Sequence, residues 1–188
     1  MSLIDKVVAA VTPPESDEAR REARSKAQKA GVSSPWLSQV IEHHMQIEDA
    51  FLAVKSATDA TARRRAEKAL AGILTAHSIA EESVLYPALA LHGEKSHATA
   101  AYTEQSAAKI QMAALADLEP MSQDYLDKLE HIRGAVAHHV YEEEGTWFLE
   151  LCEVPGIQQT LEARYMREFE RYFGGSPSVS EIGQLSEI

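Results

Sequence analysis

Between Ser34 and Cys152 the apolar residues recur at spacings of three and four, and glycine and proline fall almost entirely between the periodic stretches. Such spacing gathers apolar side chains on one face of an α-helix, whereas a half-buried strand would alternate. Helices are therefore expected throughout this span. The first starts at Ser34 as its cap, with Pro35 in its first turn, and carries Leu37, Ile41, His44, Ile47 and Phe51 on one stripe. The second runs from about Asp59 toward Leu91, with Leu70, Leu74, His77, Glu81, Val84 and Leu85 inward, and Pro87 should bend or end it. The third covers Lys95 to Leu118, with Ala98, Ala101, Gln105, Ala108, Met112 and Leu115 inward. The fourth begins near Ser122, presents Tyr125, Leu129, Ile132, Val136, His139, Glu143 and Trp147, and stops before Pro155 and Gly156. Short joints at Leu91 to Glu94 and at Glu119 to Met121 force neighbouring helices to run antiparallel. The expected fold class is all-α, an up-down-up-down four-helix bundle.

The bundle occupies residues 34–152, and the flanks read as additions to it. Residues 1–33 form an N-terminal extension in which Pro13 to Ala30 is a highly charged helix with little apolar face. Residues 153–174 form a C-terminal helix whose stripe of Ile157, Leu161, Tyr165, Phe169 and Tyr172 should cap the bundle or meet a second chain, giving a homodimer. Residues 175–188, rich in Gly, Ser and Pro, read as a flexible tail.

Composition narrows the partners. A length of 188 residues suits one compact core, and no apolar run approaches the roughly 18 residues of a membrane span. The net charge of −11 disfavours nucleic acid and anionic lipid while leaving carboxylates for cations. The N-terminus carries Asp5 too early for a secretory signal, and the lone Cys152 can form neither an internal disulfide nor a thiolate cluster. Both features fit a cytoplasmic location.

Chemistry enters through one doubled pattern. His77 is followed four residues later by Glu81, with Glu82 next, and His139 by Glu143, with Glu144 next. On a helix such pairs stack on one face with Cβ atoms about 5–6 Å apart. All four residues occupy stripes otherwise filled by Leu, Ile, Val and Ala, so they point into the core. Buried carboxylates demand mutual pairing or a cation. A cluster of structural His–Glu hydrogen bonds would satisfy one pair, but two aligned copies favour metal. The offset that relates the second helix to the fourth also relates the first to the third, and it places His44 opposite Gln105. Each helix thus contributes a polar residue at similar depth. Glu48, four residues after His44, and Glu104, beside Gln105, are alternative ligands on those helices.

Other polar residues have plainer readings. His43 and His138 lie about 100° off their stripes and are expected to support a ligand or face solvent. Glu82 and Glu144 share that offset and are placed to hold ligand histidines by hydrogen bonds. His92 and His97, in or near the second joint, read as surface residues, and His131, two turns above His139 and off its face, is no ligand candidate. Glu94 and His97 have the spacing of a ferritin-like carboxylate site, but it occurs once, at a helix start. Cys152 reads as a small buried residue without an activating histidine.

From about Trp36 to Leu151 the sequence resembles the hemerythrin-like, or HHE cation-binding, domain family. His44 matches the family's first-helix histidine. His77, Glu81 and Glu82, with Tyr86 and Pro87 following, match its second element, and His139, Glu143 and Glu144 match its fourth. Two departures stand out: Gln105 replaces the usual third-helix histidine, and Leu149 stands where a proline is frequent. The resemblance implies a four-helix bundle around two iron ions bridged by carboxylates, although imidazole with carboxylate also suits Mn and Zn. The implied ligands are His44, His77, Glu81, Gln105, His139 and Glu143. Three histidines are fewer than an oxygen carrier of this family uses. The expected function is binding or sensing of O2, nitric oxide, peroxide or iron. A di-iron peroxidase or oxidase, and a structural bundle with a vestigial site, are the alternatives.

Overall fold

The computed structural model describes residues 15–174, so the expected tail from residue 175 lies outside the described part. Helix α1 spans Asp17–Gly31 and α2 spans Pro35–Ser56. Helix α3 spans Ala60–Ala80 and continues through a π-helical turn at Glu81–Leu85 into α4, Tyr86–Leu91. Helix α5 covers Lys95–Ala116. Helix α6, Gln123–Glu142, likewise passes through a π-helical turn at Glu143–Trp147 into α7, Phe148–Cys152. Helix α8 spans Gln158–Phe173. The fold is an all-α hemerythrin-like helical bundle, with no strand among the described residues.

Local chemistry sets the helix starts. Asp59 accepts the Ala62 N–H at 2.8 Å, and Ser122 accepts the Tyr125 N–H at 3.1 Å. Ser34 occupies the cap position of α2, but its hydroxyl makes no cap bond and turns toward the Cys152 thiol instead. Arg63, almost fully buried, ties two joints by donating to the carbonyls of Val54 at 3.2 Å and Pro120 at 2.8 Å.

Pro87 does not end its helix. Proline lacks an N–H, so a carbonyl in the preceding turn loses its intrahelical donor. The π turn sets that acceptor five residues back, at Glu82, and the Tyr102 hydroxyl donates to the Glu82 carbonyl at 2.6 Å. The helix therefore continues to Leu91.

Helix α2 packs on α3, α4 on α5, α5 on α6, and α6 back on α2, which closes the ring. The two flanking helices cover its sides. Helix α1 lies on α2 and the second π turn, where small residues let the backbones approach: Ala23 and Ala27 are buried, and a Cβ on Gly145 would sit 3.5 Å from the Ala23 Cβ. Helix α8 lies on α2 and α3, burying Leu161, Tyr165 and Phe169 while Tyr172 stays 47% exposed. Leu161, Tyr165 and Phe169 of its stripe are thus spent on its own bundle.

Candidate metal centre

His44, His77, Glu81 and Glu143 converge, all buried, with one ligand atom from each within 4.8 Å of the others. His44 Nε2 lies 3.3 Å from Glu143 Oε2 and 3.9 Å from Glu81 Oε1. His77 Nε2 lies 3.2 Å from Glu81 Oε2, and His139 Nε2 the same distance from Glu143 Oε1. Glu143 therefore faces His44 with one oxygen and His139 with the other, while Glu81 faces His77 with one and His44 with the other.

The second nitrogen of every imidazole is held. His44 Nδ1 donates to Glu144 Oε1 at 2.8 Å, and Glu144 is clamped by Arg24 Nε at 2.8 and 2.7 Å. His139 Nδ1 donates to Glu104 Oε2 at 2.8 Å. His77 Nδ1 lies 3.1 Å from the Tyr165 hydroxyl, which lies 2.8 Å from His43 Nδ1. A ligating His77 needs its Nε2 lone pair, so its Nδ1 carries the proton and donates to Tyr165; Tyr165 in turn donates to His43. Burial, aided by His44, lowers the His43 pKa to about 3, so that ring is a neutral acceptor. Phe169 stacks on it with centroids 3.6 Å apart.

Tyr86 enters this site because of the π turn. In a regular α-helix, five residues from Glu81, it would point about 140° away. The i to i+5 closure, with the Tyr86 N–H on the Glu81 carbonyl, brings it back above Glu81. Its hydroxyl sits 2.8 Å from Glu143 Oε1, 3.1 Å from Glu81 Oε2 and 3.0 Å from His139 Nε2. The same closure at Phe148 N–H to Glu143 O turns Phe148 into the core against Trp36.

Gln105 reaches the same point. Its Nε2 donates to Glu81 Oε2 and to the Tyr86 hydroxyl, while its Oε1 is buried without a partner. Rotation by 180° about the last side-chain bond exchanges the two ends. His44 Nε2, Glu81 Oε1 and Glu143 Oε2 are likewise buried and without hydrogen-bond partners. Four orphaned donor atoms at one point are costly unless a cation sits among them. By this test the residues fit a metal.

Protons occupy the cation's role otherwise. Burial opposes charge on His139, but Glu143 and the bond to Glu104 outweigh it and raise its pKa to about 10. His44 is raised well above the usual range for the same kind of reason: burial is overcome by Glu143, Glu144 and Glu81. Glu143 is held below its ordinary value, burial being outweighed by His139 and His44, whereas burial and the Glu143 charge lift Glu81 to about 7. Metal must displace these protons, so uptake at pH 7 should release roughly two to three per fully loaded chain. Affinity should rise with pH from 6 to 9, because His139 stays protonated across that range without metal. A weakly buffered titration with an indicator dye measures both, and metal uptake without proton release would contradict the arrangement.

Several expectations need correction. Glu82 supports no histidine; it pairs with Lys109 at 2.6 Å, and Glu104 takes that role for His139. Glu48 points outward, with its side chain 54% exposed, and binds Arg24. Glu144 and His43 do support ligand candidates, and His138 pairs with Glu15 on α1. His97 lies half-buried between Glu150 at 2.9 Å and Glu94 at 3.4 Å, and all three side chains are partly exposed. The residues missed were Tyr86, Tyr165 and Arg24. A tyrosine just after a ligand glutamate, on a helix containing a proline, was the available signal for the first.

A family model described as the Hemerythrin HHE cation binding domain matches residues 36–151, and the chain belongs to that family. The chain is also 31% identical over 87 residues to a DNA nickase of Nostoc sp. (strain PCC 7120), an alignment covering 46% of this chain and 25% of that protein. It thus spans about a quarter of that relative's length. No solved structure matches the chain. Among the described residues, no helix is long and apolar enough to cross a membrane.

Proposed function

We propose that this chain is a cytoplasmic non-haem di-iron protein that binds or senses O2, nitric oxide, peroxide or iron. The observation that carries the reading is the set of orphaned buried donors, His44 Nε2, Glu81 Oε1, Glu143 Oε2 and Gln105 Oε1, at the meeting point of four helices. His44 and His77 with Glu81 and Glu143 would hold one iron. His139, Gln105 and the other oxygens of the same carboxylates would hold its neighbour, with the Tyr86 phenol among them. Two carboxylates and three histidines would leave positions for an exogenous ligand, and iron held by them would supply redox chemistry. The residues themselves fix geometry: Glu144, Tyr165 and Glu104 lock the three rings, and Gln105 and Tyr86 orient Glu81 and Glu143.

Turnover as a peroxidase or oxidase is the second reading, favoured by the half-open cavity that reaches His44. Nicking of DNA is a property of the Nostoc protein, and a net charge of −11 gives no support for a phosphate backbone as partner here. Pairing of two copies through α8 would have to use its outer face, where Tyr172 is exposed.

Metal analysis of protein prepared without a histidine tag tests the central reading. About two iron per chain are expected, with a near-ultraviolet ferric band that fades on reduction. A fully loaded preparation with one zinc and no iron would reject the di-iron assignment. Steady consumption of peroxide with a reductant would favour the enzyme over the sensor.

A further inference from the structure

We infer that Glu94, His97 and Glu150 form a second cation site, at the protein surface, which takes one divalent first-row transition-metal ion in exchange with solvent. One ligand atom from each residue lies within 4.8 Å of the others. Glu94 and His97, three residues apart, share a face at the start of α5. Glu150 comes from α7, 53 residues along the chain from His97.

Both carboxylates address the same ring nitrogen. His97 Nδ1 lies 2.9 Å from Glu150 Oε2 and 3.4 Å from Glu94 Oε2. A ring nitrogen carries one proton and can bond one of the two. Glu150 takes that bond, and Glu94 has no other ion-pair partner among the described residues. Glu94 also stands at the cap position of α5 yet makes no cap bond, so its carboxylate serves the histidine rather than the backbone amides. A metal ion can be shared where a proton cannot. With ligand atoms about 2.0–2.2 Å from the ion, neighbouring ligands stand roughly 2.9–3.5 Å apart, and both nitrogen–oxygen separations fall in that range.

Charge and exposure set what the site takes. Two carboxylates with a neutral imidazole balance a divalent ion. A mixed nitrogen and oxygen set suits Zn2+, Fe2+, Co2+ or Mn2+ better than Mg2+ or Ca2+, which prefer oxygen alone. The His97 side chain is 30% exposed and both carboxylates 39%, so water can complete the coordination and the ion can exchange. The positive end of α5 opposes a cation here, which weakens binding without removing a ligand. Trp147 holds the ring in place. Its indole, 4% exposed, stacks on His97 with centroids 5.9 Å apart and planes 23° from parallel, so an ion on His97 lies beside an indole.

Co2+ is the probe, because it accepts this donor set and quenches indole emission at short range. Full-length protein, carrying the ions it keeps through a brief chelator wash, is titrated by calorimetry and tryptophan fluorescence. Retained ions, counted before and after, keep the buried centre apart from this step. Saturable, quenching uptake of one Co2+ per chain without loss of a retained ion is expected. His97→Ala should lose that equivalent and its quenching, and Glu94→Gln and Glu150→Gln should each weaken it about tenfold. The two glutamine variants decide the matter if His97→Ala does not fold by circular dichroism. Absence of uptake up to millimolar Co2+ overturns the inference. So does uptake that is matched by loss of a retained ion, or that is equal in the parent and all three variants. Displacement of Co2+ by an equal concentration of Mg2+ would also overturn it, since His97 would then not be a ligand.

Discussion

Glu143→Ala is expected to purify without metal, in contrast to the two ions per chain expected of the parent. The carboxylate is in contact with both halves of the site: Oε2 faces His44 at 3.3 Å, and Oε1 faces His139 at 3.2 Å and the Tyr86 hydroxyl at 2.8 Å. Removing it takes a ligand from each metal position at once. Without metal the damage continues, since His44 and His139 are buried cations that rely on Glu143. Loss of that partner should destabilise the fold by roughly 2–4 kcal/mol. Glu143→Gln separates the two effects, because it keeps volume and hydrogen bonding but not the bridging charge. It should fold closer to the parent and still bind little metal. Metal retained in full by both variants would place the centre elsewhere.

Arg24→Met should have the second-largest effect, although Arg24 belongs to neither repeat of the His–Glu pattern. Its guanidinium meets Glu144, whose side chain is 2% exposed, and Glu144 holds His44. A methionine keeps much of the packing but leaves that carboxylate unpaired. Breaking a buried pair costs about 3–5 kcal/mol, and because Arg24 itself is 19% exposed the loss should fall near 2–3 kcal/mol. At 2–4 °C per kcal/mol for a chain of this size, melting should drop by about 5–10 °C. His44 would also be less firmly oriented, so iron should pass to a chelator several-fold faster. An unchanged melting temperature and chelation rate would mean that Arg24 is an ordinary surface cation.

The sequence exposes what repeats at regular spacing. Helix positions followed from the period of three and four, and the inward depth of His44, His77, Glu81, Gln105, His139 and Glu143 followed from the stripes they occupy. Family membership agreed with this reading because the doubled pattern is itself periodic. Two kinds of information escaped. Tyr86 was assigned to no role because an ideal helix sends it away from Glu81, and only the π turn reverses that. Arg24 and Tyr165 meet their partners across 120 and 88 residues, and no spacing rule reaches that far. The choice of Glu104 rather than Glu82 for His139 was hidden for the same reason, since adjacency in sequence suggested a symmetry that packing does not keep.

The two π turns also determine where this chain can change its length. Each holds one residue more than the α-helical closure needs, so deleting a single residue from Ser83 to Leu85 would restore ordinary closure without breaking the helix. Tyr86 would then stand four residues after Glu81 in a regular helix, about 40° from it, so the side chains beyond the deletion would keep the face they present now. The same loss between Glu144 and Trp147 would leave Phe148 four residues after Glu143 and still directed at Trp36. In the joint at Ala57 to Asp59 an added or lost residue would change only the reach of a connection. Length variation among related chains is therefore expected in the joints and, by a single residue, within the two π turns, whereas loss of a residue elsewhere in these helices would turn everything beyond it by about 100°.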